Sequence, residues 1–293
     1  MKRSKVNYFC GIAWFVASLF VCIFNDSVIK LLVGNYAVPQ IVFLRYFFAT
    51  ISLIPCMLIC GSRTFRTKHG VIHSIRAVML VSAIALYCIS LDKLPLSTVI
   101  AVNFTIPIFT LLLAYIFLKE RIGKAELLAT LACFVGICIV SEPTNLDFAS
   151  YAIAILVFSS IIFAGLDVIN KKFVVKEGIL TMLFYTAIVT LALIAVPAWI
   201  YWGEVKRTDW IFFVLLGCGA NLLLYCILKA FERVEVSAIA PFRYIEFILS
   251  AVVGFLFFDE IPPWGTTLGA CIIIPSTLYI ILAESRSLAQ NSH

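Results

Sequence analysis

Charge is what this sequence has least of. Of its 293 residues, 13% are Asp, Glu, Lys or Arg, while 63% are hydrophobic. A water-soluble domain usually carries about a quarter charged residues. Too few polar side chains are present to coat an apolar core, so a soluble globular fold is excluded and an all-α membrane protein is expected. Histidine is nearly missing: His69, His73 and the terminal His293 are the only ones. The ten cysteines include no C-x-x-C pair, so neither a metal site nor a dithiol centre is expected, and no cofactor. Nearly all of them fall in apolar runs, where cysteine reads as a small apolar side chain. There is no G-x-x-x-x-G-K-[ST] phosphate loop, so this chain is not expected to hydrolyse ATP. The net charge of +6 does not point to nucleic acid, because the basic residues come in short clusters without an aromatic-interleaved basic face.

Long hydrophobic runs are what the sequence has instead. A helix needs about 20 apolar residues to cross the hydrocarbon of a lipid bilayer. Punctuation by charge, Gly and Pro predicts ten transmembrane helices, at roughly 9–33, 39–60, 71–91, 96–118, 125–141, 151–171, 179–201, 209–229, 236–258 and 264–283. The first run follows MKRSKVNYFCGIAWF and continues past signal-peptide length without a small-x-small cleavage site, so it is expected to be retained. The basic residues then set the orientation. On the N-terminal side fall Lys2, Arg3, Lys5, Arg63, Arg66, Lys68, Lys119, Arg121, Lys124, Lys171, Lys172, Lys176, Lys229, Arg233 and Arg286; the other side receives Lys93, Lys206 and Arg207. Both termini are therefore expected in the cytoplasm. Lys30, Arg45, Arg76 and Arg243 remain, all within predicted spans.

The chain also repeats itself. The stretch 94-LPLSTVIAVNFTIPIFTLLLAYIFLKE-120 aligns without a gap on 234-VEVSAIAPFRYIEFILSAVVGFLFFDE-260, so that Ser97 meets Ser237 and Glu120 meets Glu260. At almost the same offset, 25-NDSVIK-30 matches 166-LDVINK-171, pairing Asp26 with Asp167 and Lys30 with Lys171. Two repeats are expected, 1–145 and 146–293, with five helices each. An odd number makes the second copy enter the membrane from the opposite side. Two inverted five-helix repeats imply a cavity near the midplane and two related halves that open alternately.

Length, repeat pattern and the Pro-containing fourth span ending in Lys119-Glu120 resemble the drug/metabolite transporter superfamily, in particular its ten-helix EamA-type carriers. Four stretches are similar to the S-adenosylmethionine uptake carriers of obligate intracellular bacteria: 165-GLDVINKKFVVKEGILTMLFYTAIVT-190, 229-KAF-231, 240-APFRY-244 and 272-IIIPSTLYII-281. The resemblance implies a secondary transporter of the bacterial inner membrane rather than an enzyme. It implies S-adenosylmethionine as substrate, with S-adenosylhomocysteine as a possible exchange partner and the lipid bilayer as surroundings. A general exporter of amino acids or drugs is the alternative within the same superfamily.

A charge at the centre of a membrane helix costs about 2.5–3.5 kcal/mol on insertion scales, so such residues face a cavity, pair, or snorkel. In the ninth span Arg243 lies roughly 10 Å and Glu246 roughly 15 Å from the cytoplasmic start. With Ser250 they share one helical stripe, either as a substrate-binding wall or as a self-satisfied Arg–Glu pair. Pro241 removes a backbone hydrogen bond beside them. In the fourth span Asn103 aligns with Arg243 and offers an amide toward the same centre, or an interhelical bond. Asp26 and Asp167 are expected in opposite halves of the membrane, with Arg45 facing Asp26 at one gate and Arg243 facing Asp167 at the other. Asp26 and Lys30, one helical turn apart, pair locally in the simpler reading. Intact transport in both Asp26→Asn and Arg45→Gln would end the gate expectation. Arg76 and Lys171 are expected to snorkel, Trp14 and Tyr185 to pack, and Asn221 and Tyr225 to contribute to the cavity. An S-adenosylmethionine carrier needs a guanidinium for the α-carboxylate (Arg243), a carboxylate for the ammonium (Glu246 or Asp167), and aromatic faces for sulfonium and adenine (Tyr244, Phe242, Phe104). An amide for base or ribose is the role expected of Asn103. His69 and His73 have no carboxylate beside them in sequence, which argues against an intramembrane enzyme.

Overall fold

The computed structural model describes residues 5–33, 35–91, 102–120, 122–141 and 150–258, with isolated positions 271, 275 and 279. The described secondary structure is helical throughout. The tenth expected span and the Ser97 and Glu260 ends of the repeat lie outside the described residues. Eight runs of chain precede the ninth expected span: α1 (Lys5–Val33), α2 (Val38–Cys60), α3 (Gly70–Leu91), α4 (Ile106–Leu113), α5 (Lys124–Ser141), α6 (Ser150–Val174), α7 (Ile179–Ile200) and α8 (Trp210–Arg233). Among the described residues, six helices are long and apolar enough to cross a membrane: α1, α2, α3, α6, α7 and α8. At 1.5 Å per residue, the 29 residues of α1 exceed a hydrocarbon thickness of about 30 Å.

Two expected spans are broken rather than continuous. The fourth turns at Phe104–Thr105, and α4 starts at Ile106 with Pro107 in its first turn, where a missing N–H costs nothing. It ends in a π-helical turn, Ala114–Leu118, closed by Lys119 at φ 55°. The ninth span divides into α9 (Val236–Ile239), a 3-10 turn over Ala240–Tyr244 and α10 (Ile245–Phe258). Pro241 opens the 3-10 turn, because its ring forbids continuation of the preceding α-helical ladder. Both breaks occur at the stretches that align in the internal repeat, and both stand next to the polar residues of interest.

The long helices pack as neighbours. Helix α1 lies along α8 and touches α10; α2 packs on α7 and α8; α3 packs on α6 and α7; α4 packs on α6. Glycine permits one close crossing: a Cβ on Gly217 of α8 would stand 2.7 Å from the Ala49 nitrogen of α2, so the two backbones meet there. The main apolar core joins Tyr8, Phe15, Met182, Phe231 and Phe242.

Contacts at the two ends of the bundle define two sides. On the proximal side, where α1 starts, a Cβ on Gly11 would stand 3.2 Å from Val234 Cβ, just beyond the end of α8. There Thr181 Oγ1 donates to Thr64 O at 2.9 Å and Tyr185 Oη to Phe65 O at 2.9 Å. On the distal side, Tyr36 Oη donates to Asp209 Oδ2 at 2.7 Å and Gln40 Nε2 to Gly203 O at 2.7 Å.

Candidate functional site

Among the described residues, two groups of charges gather the expected site residues. The first joins Arg243, in the 3-10 turn, to Asp167 on α6, with the Arg243 guanidinium donating to Asp167 Oδ2 at 2.9 Å. Their side chains are 20% and 12% exposed, so the ion pair is largely withdrawn from solvent. A small cavity beside it is lined by Phe15, Pro107, Thr110 and Phe231. The break at Pro241 makes this pairing possible, since Arg243 leaves the helical stripe that would have set it over Glu246. Of the alternatives the sequence left open for Arg243, a self-satisfied pair with Glu246 is not the one found: the hydrogen-bonded partner of Arg243 is Asp167, which it was expected to face.

The proximal side around this pair is closed by caps. Lys171 was expected to snorkel; instead its ammonium turns inward and donates to Phe231 O and, at 2.7 Å, to Val234 O. The last carbonyls of α8 have no partners within their helix, and a cation there satisfies them. Glu120, at the end of the fourth span, accepts the backbone N–H groups of Val236 and Ser237 at 3.2 and 3.0 Å. A carboxylate thus sits on the free amides that open α9.

The second group is Cys22 and Asp26 on α1 with Glu246 in the first turn of α10. Cys22 Sγ donates to Glu246 Oε1 at 3.4 Å and approaches Asp26 Oδ2 at 3.8 Å. The three ligand atoms lie within 4.8 Å of one another; Cys22 and Glu246 are half-buried and Asp26 is exposed. Cys22 was read as an apolar filler. Its position one turn before Asp26 instead makes it the bridge between two carboxylates. Arg45 of α2 acts electrostatically on both Asp26 and Cys22. Its guanidinium carbon lies 5.9 Å from the Tyr46 ring centroid. Its Nε is buried and has no hydrogen-bond partner among the described residues. The side chain of Lys30 lies outside the described residues.

The remaining expected residues fall in different places. Tyr244 is fully buried, stacks on Phe104 with centroids 5.5 Å apart, and donates from Oη to Phe104 O at 3.0 Å. The two aromatics therefore staple the broken fourth and ninth spans to each other. Asn103 Oδ1 is buried and has no hydrogen-bond partner among the described residues. Asn221 of α8 gives its amide protons to Ala49 O at 2.7 Å and Ser52 Oγ at 2.9 Å, clasping α8 to α2. Trp14 packs edge-on against Tyr225 at 5.7 Å.

One buried network escaped the sequence reading. Arg76 does not snorkel: it is 1% exposed, with Nε donating to Asn170 Oδ1 at 2.7 Å and a terminal nitrogen 3.3 Å from His73 Nδ1. His73 Nε2 lies 3.5 Å from Glu177 Oε2, and Thr67 Oγ1 donates to Glu177 Oε1 at 2.8 Å. The carboxylate that seemed missing beside the histidines arrives from the loop between α6 and α7, far away in sequence. No local spacing signals it.

Apolar helices of spanning length, with charges held inside and two helices broken beside them, define a polytopic helical membrane transport protein. The EamA-like transporter family model matches residues 9–142 and again 150–282, and the chain belongs to that family. It is 38% identical over 291 residues to the S-adenosylmethionine uptake transporter of Rickettsia bellii, covering 99% of each chain. It is also 38% identical over 290 residues to the protein of that name in Rickettsia prowazekii, covering 99% of this chain and 98% of the relative. A solved crystal structure superposes with a TM-score of 0.76 at 17% identity, over 94% of this chain and 98% of the other, a likeness of fold.

Proposed function

We propose that this chain carries S-adenosylmethionine across the bacterial inner membrane by alternating access, in exchange for S-adenosylhomocysteine. Full-length likeness to two carriers named for that substrate supports the reading. The single observation in the site that carries it is charge of both signs set among apolar helices, in the Arg243–Asp167 pair and the Cys22–Asp26–Glu246 cluster. Charges of both signs, held in one place and not all paired with each other, suit a solute that bears charges of both signs.

The reading includes ten spans in two inverted halves, 1–145 and 146–293, with both termini cytoplasmic. The two separate family matches support two repeats. So does the packing. Exchanging the halves turns α1 on α8 into α6 on α3, α2 on α8 into α7 on α3, and α4 on α6 into the ninth span on α1. It leaves α2 on α7 as it is; every one of these pairs is in contact. In this scheme Arg243–Asp167 is the proximal gate, reinforced by Lys171 and Glu120, and Asp26 with Arg45 and Lys30 belongs to the distal one.

Uptake of radiolabelled S-adenosylmethionine by cells expressing the chain tests the reading. Saturable uptake, blocked by S-adenosylhomocysteine and not by methionine, is expected. Absence of uptake, with the protein present in the membrane, would reject the substrate and favour export of amino acids or drugs.

A further inference from the structure

Arg76 of α3 is 1% exposed and lies within a helix of membrane-spanning length. A buried guanidinium is costly unless acceptors take up its N–H groups. The carboxylate of this network, Glu177, reaches Arg76 only by way of His73. Two of its direct partners are neutral and come from other helices: Asn170 Oδ1 of α6 at 2.7 Å and Met182 O of α7 at 3.4 Å. His73 is fixed in turn, stacked on Tyr185 of α7 with centroids 4.9 Å apart and with Nε2 3.2 Å from Thr67 Oγ1. A relative shift of α3, α6 or α7 would strand the charge, so Arg76 ties the three together.

The tie bears on the gate through the order of residues on α6. Asn170 stands one helical turn after Asp167, and Lys171 follows it. At about 100° per residue, Asn170 lies roughly 60° to one side of Asp167 around the helix and Lys171 roughly 40° to the other. Arg76 holds the first flank, and the carbonyls of Phe231 and Val234 hold the second. Helix α6 is therefore fixed in rotation, with Asp167 between the two holds and directed at Arg243. The first repeat has no such arrangement in its sequence. Ile29 stands there in the place of Asn170, and α8, the counterpart of α3, carries no charged residue from Trp210 to Leu228.

Resting on the reading of Arg243–Asp167 as the proximal gate, we propose that Arg76 is a positioning residue for that gate. By holding Asn170 it sets the rotation of α6 that presents Asp167 to Arg243, so that the pair re-forms in the same geometry each time the proximal side closes. Arg76 is bonded to neither gate residue and acts on them through α6.

The test is a cycle of thermal unfolding in detergent, which does not depend on the identity of the solute. Asn170→Leu removes the acceptor, once in wild type and once in the Asp167→Asn, Arg243→Gln double variant. An amide that merely fastens α3 to α6 would give the same drop in Tm in both. Positioning predicts a drop about twice as large in wild type, because there the ion pair is weakened as well. Asn170→Asp keeps an acceptor for the Arg76 Nε–H and is expected to stay near wild type. Should Asn170→Leu not fold, Asn170→Ser, whose shorter side chain withdraws from Arg76, goes through the same cycle. Uptake gives a second reading: in Asn170→Leu, kcat is expected to fall about tenfold with KM within about twofold, and Asn170→Asp to restore it. Equal drops in Tm in the two backgrounds, wild-type kcat in Asn170→Leu, or an Asn170→Asp as impaired as Asn170→Leu would overturn the positioning role. Failure of wild type to take up S-adenosylmethionine would instead reject the proposed function, and the unfolding cycle would still decide the role of Arg76.

Discussion

The Arg243–Asp167 pair and the Cys22–Asp26–Glu246–Arg45 group are built from the same kinds of residue, yet they differ in completeness. Around Arg243 the charged groups are matched: guanidinium to carboxylate, the Lys171 ammonium to carbonyls, the Glu120 carboxylate to amides, while the Thr110 and Ser237 hydroxyl oxygens nearby have no partner among the described residues. Around Asp26 they are not, since among the described residues Arg45 Nε has no acceptor and the two carboxylates share a thiol. A matched group holds helices together. A buried polar atom left unmatched is a cost that persists only where something else completes it. The first group therefore reads as closure of the bundle, the second as a place for a solute.

Substitutions break this comparison in different ways. The largest effect is expected at the matched pair. Asp167→Asn or Arg243→Gln leaves one partly buried charge without its partner, a loss of about 3–5 kcal/mol, and thermal unfolding of the detergent-solubilised protein should register it. Asp167→Asn combined with Arg243→Gln should regain most of that stability, because no lone charge is left. A double variant as unstable as the singles would contradict a simple pair.

Next come the unmatched residues. Arg45→Gln is expected to lower uptake kcat/KM by about 10- to 100-fold, the range for a charge-assisted bond, with thermal stability close to wild type. A stability loss like that of Asp167→Asn would erase the distinction between the two groups.

A third prediction concerns the glycine crossing. Gly217→Leu forces a side chain against Ala49 and Phe48, and overpacking of this kind costs about 1–3 kcal/mol. It should lower the unfolding temperature without changing the ratio of KM to the S-adenosylhomocysteine Ki. The smallest effect is expected at Asn221. Interhelical hydrogen bonds in membranes average about 0.6 kcal/mol, so Asn221→Ala should alter stability only slightly and uptake less than Arg45→Gln does. A loss of uptake as large as that of Arg45→Gln would return Asn221 to the binding site.

Much of the membrane architecture was legible because bilayers demand long apolar helices and short polar connections. The first three and the sixth to eighth spans fall where composition placed them, within a few residues. The breaks in the fourth and ninth spans were signalled by Pro107 and Pro241, but a proline gives the position of a break and not the direction a side chain takes after it. That is why Asp167 and Arg243, expected to face each other, are found together, while Arg243 and Glu246, only three residues apart, are not a pair. Cys22 was hidden by its own chemistry, being small and apolar enough to pass as packing. Glu177 was hidden by distance, since a loop partner more than a hundred residues from His73 leaves no local pattern.

The most direct measurement is the rate at which Cys22 reacts with a small cationic thiol reagent, read peptide by peptide, with and without saturating S-adenosylmethionine. Cys60, exposed at the end of α2, serves as the internal reference. The account predicts that S-adenosylmethionine slows labelling of Cys22 about tenfold and leaves Cys60 unchanged. Labelling of Cys22 at an unaltered rate, in membranes that take up S-adenosylmethionine, would contradict the claim that the solute occupies this cluster.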